Sequence, residues 1–223
     1  MGNSKKIQKE LAPRLIKWHK KNNRDFPWRH TKDPYQILIA EILLQRTKAE
    51  QVAPVYNNFL KKYPTVKALA KGRIKTIENI IRPLGLLKRG RMLKQLGREI
   101  LDRHKGDVPQ KTAELLKLML VGNYVANAVS CFSYDRDFPT VDWNAARVFS
   151  RIVAYPLKSA PHADKDFIDF VSEFIPNGKG REFNLALLDF SASVCIPRKP
   201  LCDECPLNSF CIYNNSKSQG DRA

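Results

Sequence analysis

Four of the five cysteines in this 223-residue chain fall within one short stretch, CIPRKPLCDECPLNSFC: Cys195, Cys202, Cys205 and Cys211. The spacing is C-x6-C-x2-C-x5-C. In a reducing compartment such a cluster reads as a metal site before it reads as disulfides, and the odd fifth cysteine fits that reading. Cys131, alone in AVSCFSYD, is expected to be a small buried core residue. Four thiolates suit tetrahedral zinc, but zinc ribbons usually pair two C-x2-C units, and only Cys202 and Cys205 form one here. A compact loop of four cysteines equally suits an iron–sulfur cluster. Spacing alone leaves both open.

Two carboxylates stand out. Glu41 lies in ILIAEILL, the most apolar part of the chain. Burying a carboxylate there costs several kcal/mol unless it is paired or protonated. It is either a structural glutamate or a carboxyl of raised pKa able to donate a proton. Asp142 lies in FPTVDWNAARVFSR, just before a helical pattern. It is either a plain N-cap or a carboxylate held at a helix start and aimed into a cleft, with Asn144 two residues on. In KLMLVGNYVANAV, residues 117–129, a turn at Val121-Gly122-Asn123 separates two helical runs. Backbone N–H groups at such a helix start can meet a phosphate, although a simple helix corner gives the same pattern.

The elements that must position these groups are helices. Apolar residues recur at intervals of three and four over 5–21, as at Ile7, Leu11, Leu15 and Trp18. Residues 34–47 open with Pro34 after Asp33 and are apolar nearly all round, which predicts a central buried helix. Further helices are expected over 49–62, 64–70, 73–82, 88–103, 111–118, 123–133, 142–154, 163–174 and 181–193. No stretch alternates as a strand, so the expected fold class is all-α. The last dozen residues, IYNNSKSQGDRA, are polar and expected to fray.

Lys and Arg number 39 against 22 Asp and Glu, a formal charge of +17. That excess points to a polyanion, and nucleic acid is the usual one. No apolar run at the N-terminus is long enough for a signal peptide or a membrane span, so a soluble protein without a membrane partner is expected. The expected location is cytoplasmic, with the nucleoid the natural site in a prokaryote.

Together these features resemble the endonuclease III-like, helix-hairpin-helix DNA glycosylases, in which C-x6-C-x2-C-x5-C is the [4Fe–4S] loop. The resemblance covers nearly the whole chain. RDFPWRHTKDPYQILIAEILLQRT, VDWNAARVFSR and REFNLALLDFSASVCIPRKPLC are most similar to the branch of archaeal thymine-DNA mismatch glycosylases. The resemblance implies two helical lobes. Residues 27–135 would form a helical barrel with the hairpin, and 1–26 with 136–223 a discontinuous lobe carrying the cluster, with mismatched double-stranded DNA in the cleft. It also implies a monomer. Cys195, Cys202, Cys205 and Cys211 would hold the cluster, and Arg198 and Lys199 would offer cations to a DNA phosphate.

The resemblance further implies roles for single residues. Asp142 matches the essential carboxylate that stabilises the positive charge developing on the sugar. Asn144 matches the asparagine that supports it. Glu41 matches a carboxyl facing the flipped base. Gln45 and Arg46 match positions that enter the vacated space or contact the opposite base. Val121, Gly122 and Asn123 belong to the hairpin that meets phosphate. Tyr124 stands where bifunctional relatives have an amine-bearing lysine. A phenol cannot form that Schiff base, so a monofunctional hydrolytic glycosylase is expected, acting on thymine or uracil opposite guanine.

Two alternatives are an adenine-specific mismatch glycosylase and a non-catalytic iron–sulfur DNA-binding protein. Adenine enzymes usually carry serine in place of Tyr124 and a further C-terminal domain, so Tyr124 and the twelve residues after Cys211 argue against that alternative. One departure concerns the hairpin. The family pattern L-P-G-V-G is here Leu118-Met119-Leu120-Val121-Gly122. A glycine position taken by leucine predicts backbone strain, a distorted turn or a weaker phosphate contact.

Overall fold

The computed structural model describes residues 2–156 and 160–220. Among the described residues the regular structure is helical, with no strand, so the fold is all-α. No helix among them is long and apolar enough to cross a membrane. The chain forms two compact units, a continuous one of residues 25–134 and a split one of residues 1–24 with 135–223.

The split unit contains α1 (Gly2–Asn22), and the continuous unit contains α2 (Pro34–Leu44), α3 (Ala49–Lys62), α4 (Val66–Lys71), α5 (Ile74–Ile81), α6 (Arg89–His104), α7 (Thr112–Leu115) and α8 (Asn123–Tyr134). Helix α2 starts where its sequence directs. The Asp33 carboxylate accepts the N–H groups of Tyr35 and Gln36 at 2.8 and 3.0 Å, and Pro34 takes the first helical position. It is buried on nearly every face, Glu41 included, and packs against α3 and α8. Helices α4 and α6 approach closely, because Gly97 of α6 has no side chain. A Cβ there would stand 2.9 Å from the Ala70 backbone nitrogen.

Three expected boundaries are corrected. The helix expected over 34–47 stops at Leu44, because Arg46 takes a left-handed backbone, φ 65°. Gln45 and Arg46 therefore sit on a turn and not on the helix. The helix expected over 111–118 shrinks to α7, one turn, followed by further turns. The polar tail expected to fray forms a helix, Ile212–Gly220, and residues 221–223 lie outside the described residues.

The split unit continues with α9 (Trp143–Val153), α10 (Lys165–Ser172), α11 (Gly180–Ser193) and α12 (Ile212–Gly220). Ile7, Leu11 and Leu15 of α1 join Phe149, Phe183 and Phe190 in its core. Phe149 meets Phe167, Phe170 and Phe174 at ring separations of 6.0, 5.8 and 5.1 Å, all in edge-on geometry. A carboxylate lies inside this core. The Asp189 carboxylate is fully buried, with His19 Nε2 at 3.0 Å and the Arg24 backbone N–H donating at 3.0 Å. These bonds offset the cost of desolvating it.

The α4–α6 contact has a direct test. Gly97→Ala should lower unfolding free energy by about 1–3 kcal/mol, the usual cost of overpacking, even though alanine is the better helix former. Chemical denaturation of the two proteins measures it.

Candidate active site and cysteine loop

Asp142 ends an extended segment and caps α9. Its Oδ1 accepts the backbone N–H groups of Asn144 and Ala145 at 2.9 and 2.8 Å. Its Oδ2 accepts the Asn144 side-chain amide at 2.7 Å. One oxygen thus closes the helix, and the other is held by a neutral donor. The group is only half-buried, so it remains open to an incoming molecule.

The segment leading to Asp142 is tied to the start of α11. The Asp137 carboxylate accepts the N–H groups of Gly178 and Gly180, both at 2.8 Å. Asn184 is fully buried and satisfied on both sides of its amide. Its Oδ1 accepts the Thr140 N–H at 2.8 Å and the Thr140 hydroxyl at 3.0 Å, and its Nδ2 donates to the carbonyls of Phe138 and Gly180, both at 2.8 Å. Gly180 is required here. A Cβ would meet the Arg136 carbonyl and Asp137 at 2.9 Å. Residues 136–141 therefore have little freedom, and Asp142 inherits that rigidity.

Arg147, one turn into α9, connects Asp142 to the cysteine loop. Its Nη1 donates to Asn144 Oδ1 at 3.0 Å, its Nε to the Cys195 carbonyl at 2.9 Å, and its Nη2 to the Ser191 carbonyl at 2.9 Å. Asn144 faces the cation with its oxygen and the carboxylate with its nitrogen, so both ends of the amide are assigned. Burial lowers the Arg147 pKa, opposed by negative charge on Cys195 and Asp142. One turn further on, Arg151 donates to the Ile196 carbonyl at 2.7 Å and lies over the Tyr213 ring at 4.9 Å.

Cys195, Cys202, Cys205 and Cys211 line one small cavity, walled also by Phe190 and Tyr213. Burial pushes the Cys205 thiol up to about 12 and raises Cys211 as well, with the neighbouring thiols adding to both. A cationic group that takes them as thiolates has to offset that burial cost. N–H donors already point at the sulfurs, Leu207 to Cys205 at 3.4 Å and Arg151 to Cys195 at 3.5 Å. Four thiols spaced round a shared cavity match a cluster, in which each iron takes one of them. Arg198 and Lys199 stand exposed on this loop.

In the continuous unit, Glu41 is 4% exposed in the body of α2. Gln45 and Arg46 follow on the turn that ends this helix. Gln45 Nε2 donates to the Leu120 carbonyl at 3.2 Å, which joins this turn to the hairpin. The α2 carbonyl of Ile42 accepts from Arg89 at 2.7 Å. In the hairpin, Leu120 takes the left-handed backbone, φ 68°, where the family pattern has glycine. The turn is thus not lost. Glu99 accepts the Met119 N–H at 2.9 Å and Gln45 holds the next carbonyl. Val121 is buried, Gly122 and Asn123 are exposed, and Tyr124 lies in the first turn of α8. Gly122 itself has room for a Cβ.

The structure brings Asp142 together with Asn144, and Gln45 together with the hairpin. Glu41 and Tyr124 belong to the continuous unit and Asp142 to the split one. Sequence reasoning missed Arg147, Asn184, Asp137 and Glu99. Their partners lie 20 to 48 residues away along the chain, so no local pattern announces them.

Comparison with known proteins bears on this geometry. A family model described as HhH-GPD superfamily base excision DNA repair protein matches residues 39–171, and one for the iron–sulfur binding domain of endonuclease III matches residues 195–211. The chain is 38% identical over 211 residues to the thymine-DNA glycosylase of Aeropyrum pernix, covering 92% of this chain and 95% of that protein. It is 37% identical over 209 residues to the thymine/uracil-DNA glycosylase of Methanothermobacter thermautotrophicus, covering 93% and 95%. A solved structure of a thermostable thymine-DNA glycosylase superposes with a TM-score of 0.91 at 36% identity, covering 96% of this chain and 99% of that one.

The left-handed Leu120 yields a prediction. Leu120→Val should destabilise the protein by about 1–2 kcal/mol, since a β-branched residue tolerates this backbone least. Leu120→Gly should be neutral to within about 1 kcal/mol, the relief of strain offsetting the freedom gained by the unfolded chain. Thermal unfolding of both variants gives the ordering.

Proposed function

This chain belongs to the HhH-GPD superfamily of base excision DNA repair proteins, and from that premise we propose that it is a monofunctional glycosylase removing thymine or uracil mispaired with guanine. The observation that carries the chemistry is the Asp142 carboxylate, capped on one oxygen and held on the other by Asn144. In this reading the bond between sugar C1′ and the base nitrogen breaks, and its electron pair leaves with the base. Positive charge develops on the sugar, and a fixed carboxylate stabilises it without reorganising. Water adds to C1′, and Asp142 takes its proton.

Glu41 is the hydrogen-bond partner or proton donor of the extruded base. A mispaired base costs least to extrude, and Gln45 and Arg46 contact the space and the partner base left behind. Tyr124 supplies no amine, so no imine forms with the sugar and the strand is left unbroken. Val121, Gly122 and Asn123 meet phosphate, as do Arg198 and Lys199. The protein acts as a monomer on mismatched DNA, and its similarity to a thymine-DNA and a thymine/uracil-DNA glycosylase supports this substrate class.

Cys195, Cys202, Cys205 and Cys211 hold the [4Fe–4S] cluster. When bound, the cluster cross-links a loop with little core of its own. The chain's own contribution is the Arg147 fork, which fixes the Cys195 carbonyl and the Asn144 amide with one rigid group.

Two experiments test the reading. Incubated with G·T and G·U duplexes, the protein should release free base and leave an unbroken abasic strand, and Asp142→Asn should reduce release by about 10³-fold while keeping DNA binding. Spontaneous strand scission, or release by Asp142→Asn at the wild-type rate, contradicts it. Arg147→Ala should slow single-turnover release by about 10- to 100-fold, from loss of charged hydrogen bonds of 1.5–3 kcal/mol. Arg147→Lys should recover only part, because an ammonium lacks the planar fork.

A further inference from the structure

Helix α6 carries a row of cations that the fold leaves without counter-charge. Arg91, Lys94 and Arg98 stand at i, i+3 and i+7, on one face of the helix. With Ile74 and Gln95 they line a concave surface of about 370 Å³ in the continuous unit. Among the described residues none of these three side chains has a hydrogen bond or an ion pair.

Asp102, one turn beyond Arg98 on α6, forms no ion pair with it among the described residues, and two other acids of α5 and α6 are turned to other contacts. Glu99 accepts from Gln95 at 3.0 Å and from the Met119 N–H at 2.9 Å. Glu78 lies over Gly90, where it would obstruct a Cβ at 2.4 Å. Other surface cations do find carboxylates: Arg14 pairs with Glu10, Lys117 with Glu114 and Lys179 with Glu182. Like charges three and four residues apart on a helix repel each other. The row therefore costs the free protein stability, and a bound polyanion relieves that cost.

Its charge selects a polyanion. Arg89, two residues before the row, faces the other way: residues two apart do not share a helix face, and Arg89 donates to the Ile42 carbonyl of α2. The row is therefore a separate basic face. From Arg91 to Arg98 the helix rises about 10.5 Å. Along the duplex axis one strand advances about 3.4 Å per phosphate, so a row lying along that axis spans about three phosphate steps, room for each of the three cations to meet a phosphate. Arginine grips a phosphate with two parallel hydrogen bonds, and lysine meets it as a point charge.

We propose that the α6 groove of Arg91, Lys94 and Arg98 binds the phosphodiester backbone of the substrate duplex, outside the nucleotide being excised. The proposal rests on the DNA glycosylase reading, and it extends the contact surface beyond the hairpin and the cysteine loop. The groove reads no sequence. It lengthens the footprint and makes affinity depend more steeply on salt.

The test measures duplex binding to the full-length, cluster-containing protein by fluorescence anisotropy across a range of salt. Each phosphate contact contributes about 0.9 to the slope of log K against log salt. The combined Arg91→Gln, Lys94→Gln and Arg98→Gln variant should therefore lose about 2–3 from that slope. Each single variant, which perturbs one exposed or half-buried side chain, should lose about 0.9. The loss should be equal for G·T and G·C duplexes, and the rate of base release at saturating duplex should be unchanged. A slope that stays at the wild-type value overturns the proposal, as does a loss confined to the mismatch. A groove built for RNA or for a protein leaves the duplex slope unmoved and gives that same overturning result. Failure of the glycosylase reading shows separately, as absence of base release by the wild-type protein, and leaves the slope measurement intact.

Discussion

The split unit depends on one planar cation. Arg147 occupies three acceptors at once: the Ser191 carbonyl in the last turn of α11, the carbonyl of Cys195, and the amide oxygen of Asn144. Each bond to a charged donor is stronger than a neutral one. Because the guanidinium is rigid, the three acceptors also fix one another's positions. The last turn of α11, the first thiol of the loop and the support of Asp142 are thereby parts of one assembly. The cysteines stand more than fifty residues from Asp142 along the chain, yet three side-chain bonds in series join them: Cys195 to Arg147, Arg147 to Asn144, and Asn144 to Asp142.

Asp142 has two readings from sequence, a cap or a working carboxylate. The geometry shows the cap, and it leaves the same group placed to serve the second role proposed for it. Oδ1 satisfies N–H groups that α9 cannot satisfy internally. That duty sets the rotamer, and the rotamer presents Oδ2 to Asn144. A helix start is a good place for a carboxylate that must stay charged, since the local dipole favours the anion. The structural role and the proposed chemical one thus call for the same arrangement.

Much of the fold was legible because it is written in local periodicity. The all-α class follows from apolar residues at three- and four-residue spacing, and α2 announces its start through Asp33 and Pro34. Its end was not legible. Residues 45–47 carry no glycine or proline, and only the left-handed Arg46 stops the helix. The tail after Cys211 misled for the opposite reason. Its composition is polar, but Tyr213 lies beneath Arg151, and that tertiary contact supports a helix that propensity alone would not. In the site, the four cysteines and Asp142 were legible as residue types at a spacing. Arg147, Asn184 and Asp137 were not, because their contribution lies in partners about forty residues away.

Leu120 bears on how such a turn is recognised at all. The hairpin keeps its left-handed residue although the glycine that usually supplies it is gone, and Gly122, which remains, has space for a larger side chain. What persists is a dihedral angle, held by Glu99 and Gln45 from either side. A search keyed to the letters of the motif would pass over this chain. A search keyed to the neighbours that enforce the angle would find it. The identity of the hairpin is thus stored partly outside the hairpin, and its own residues are free to drift as long as those two clamps stay.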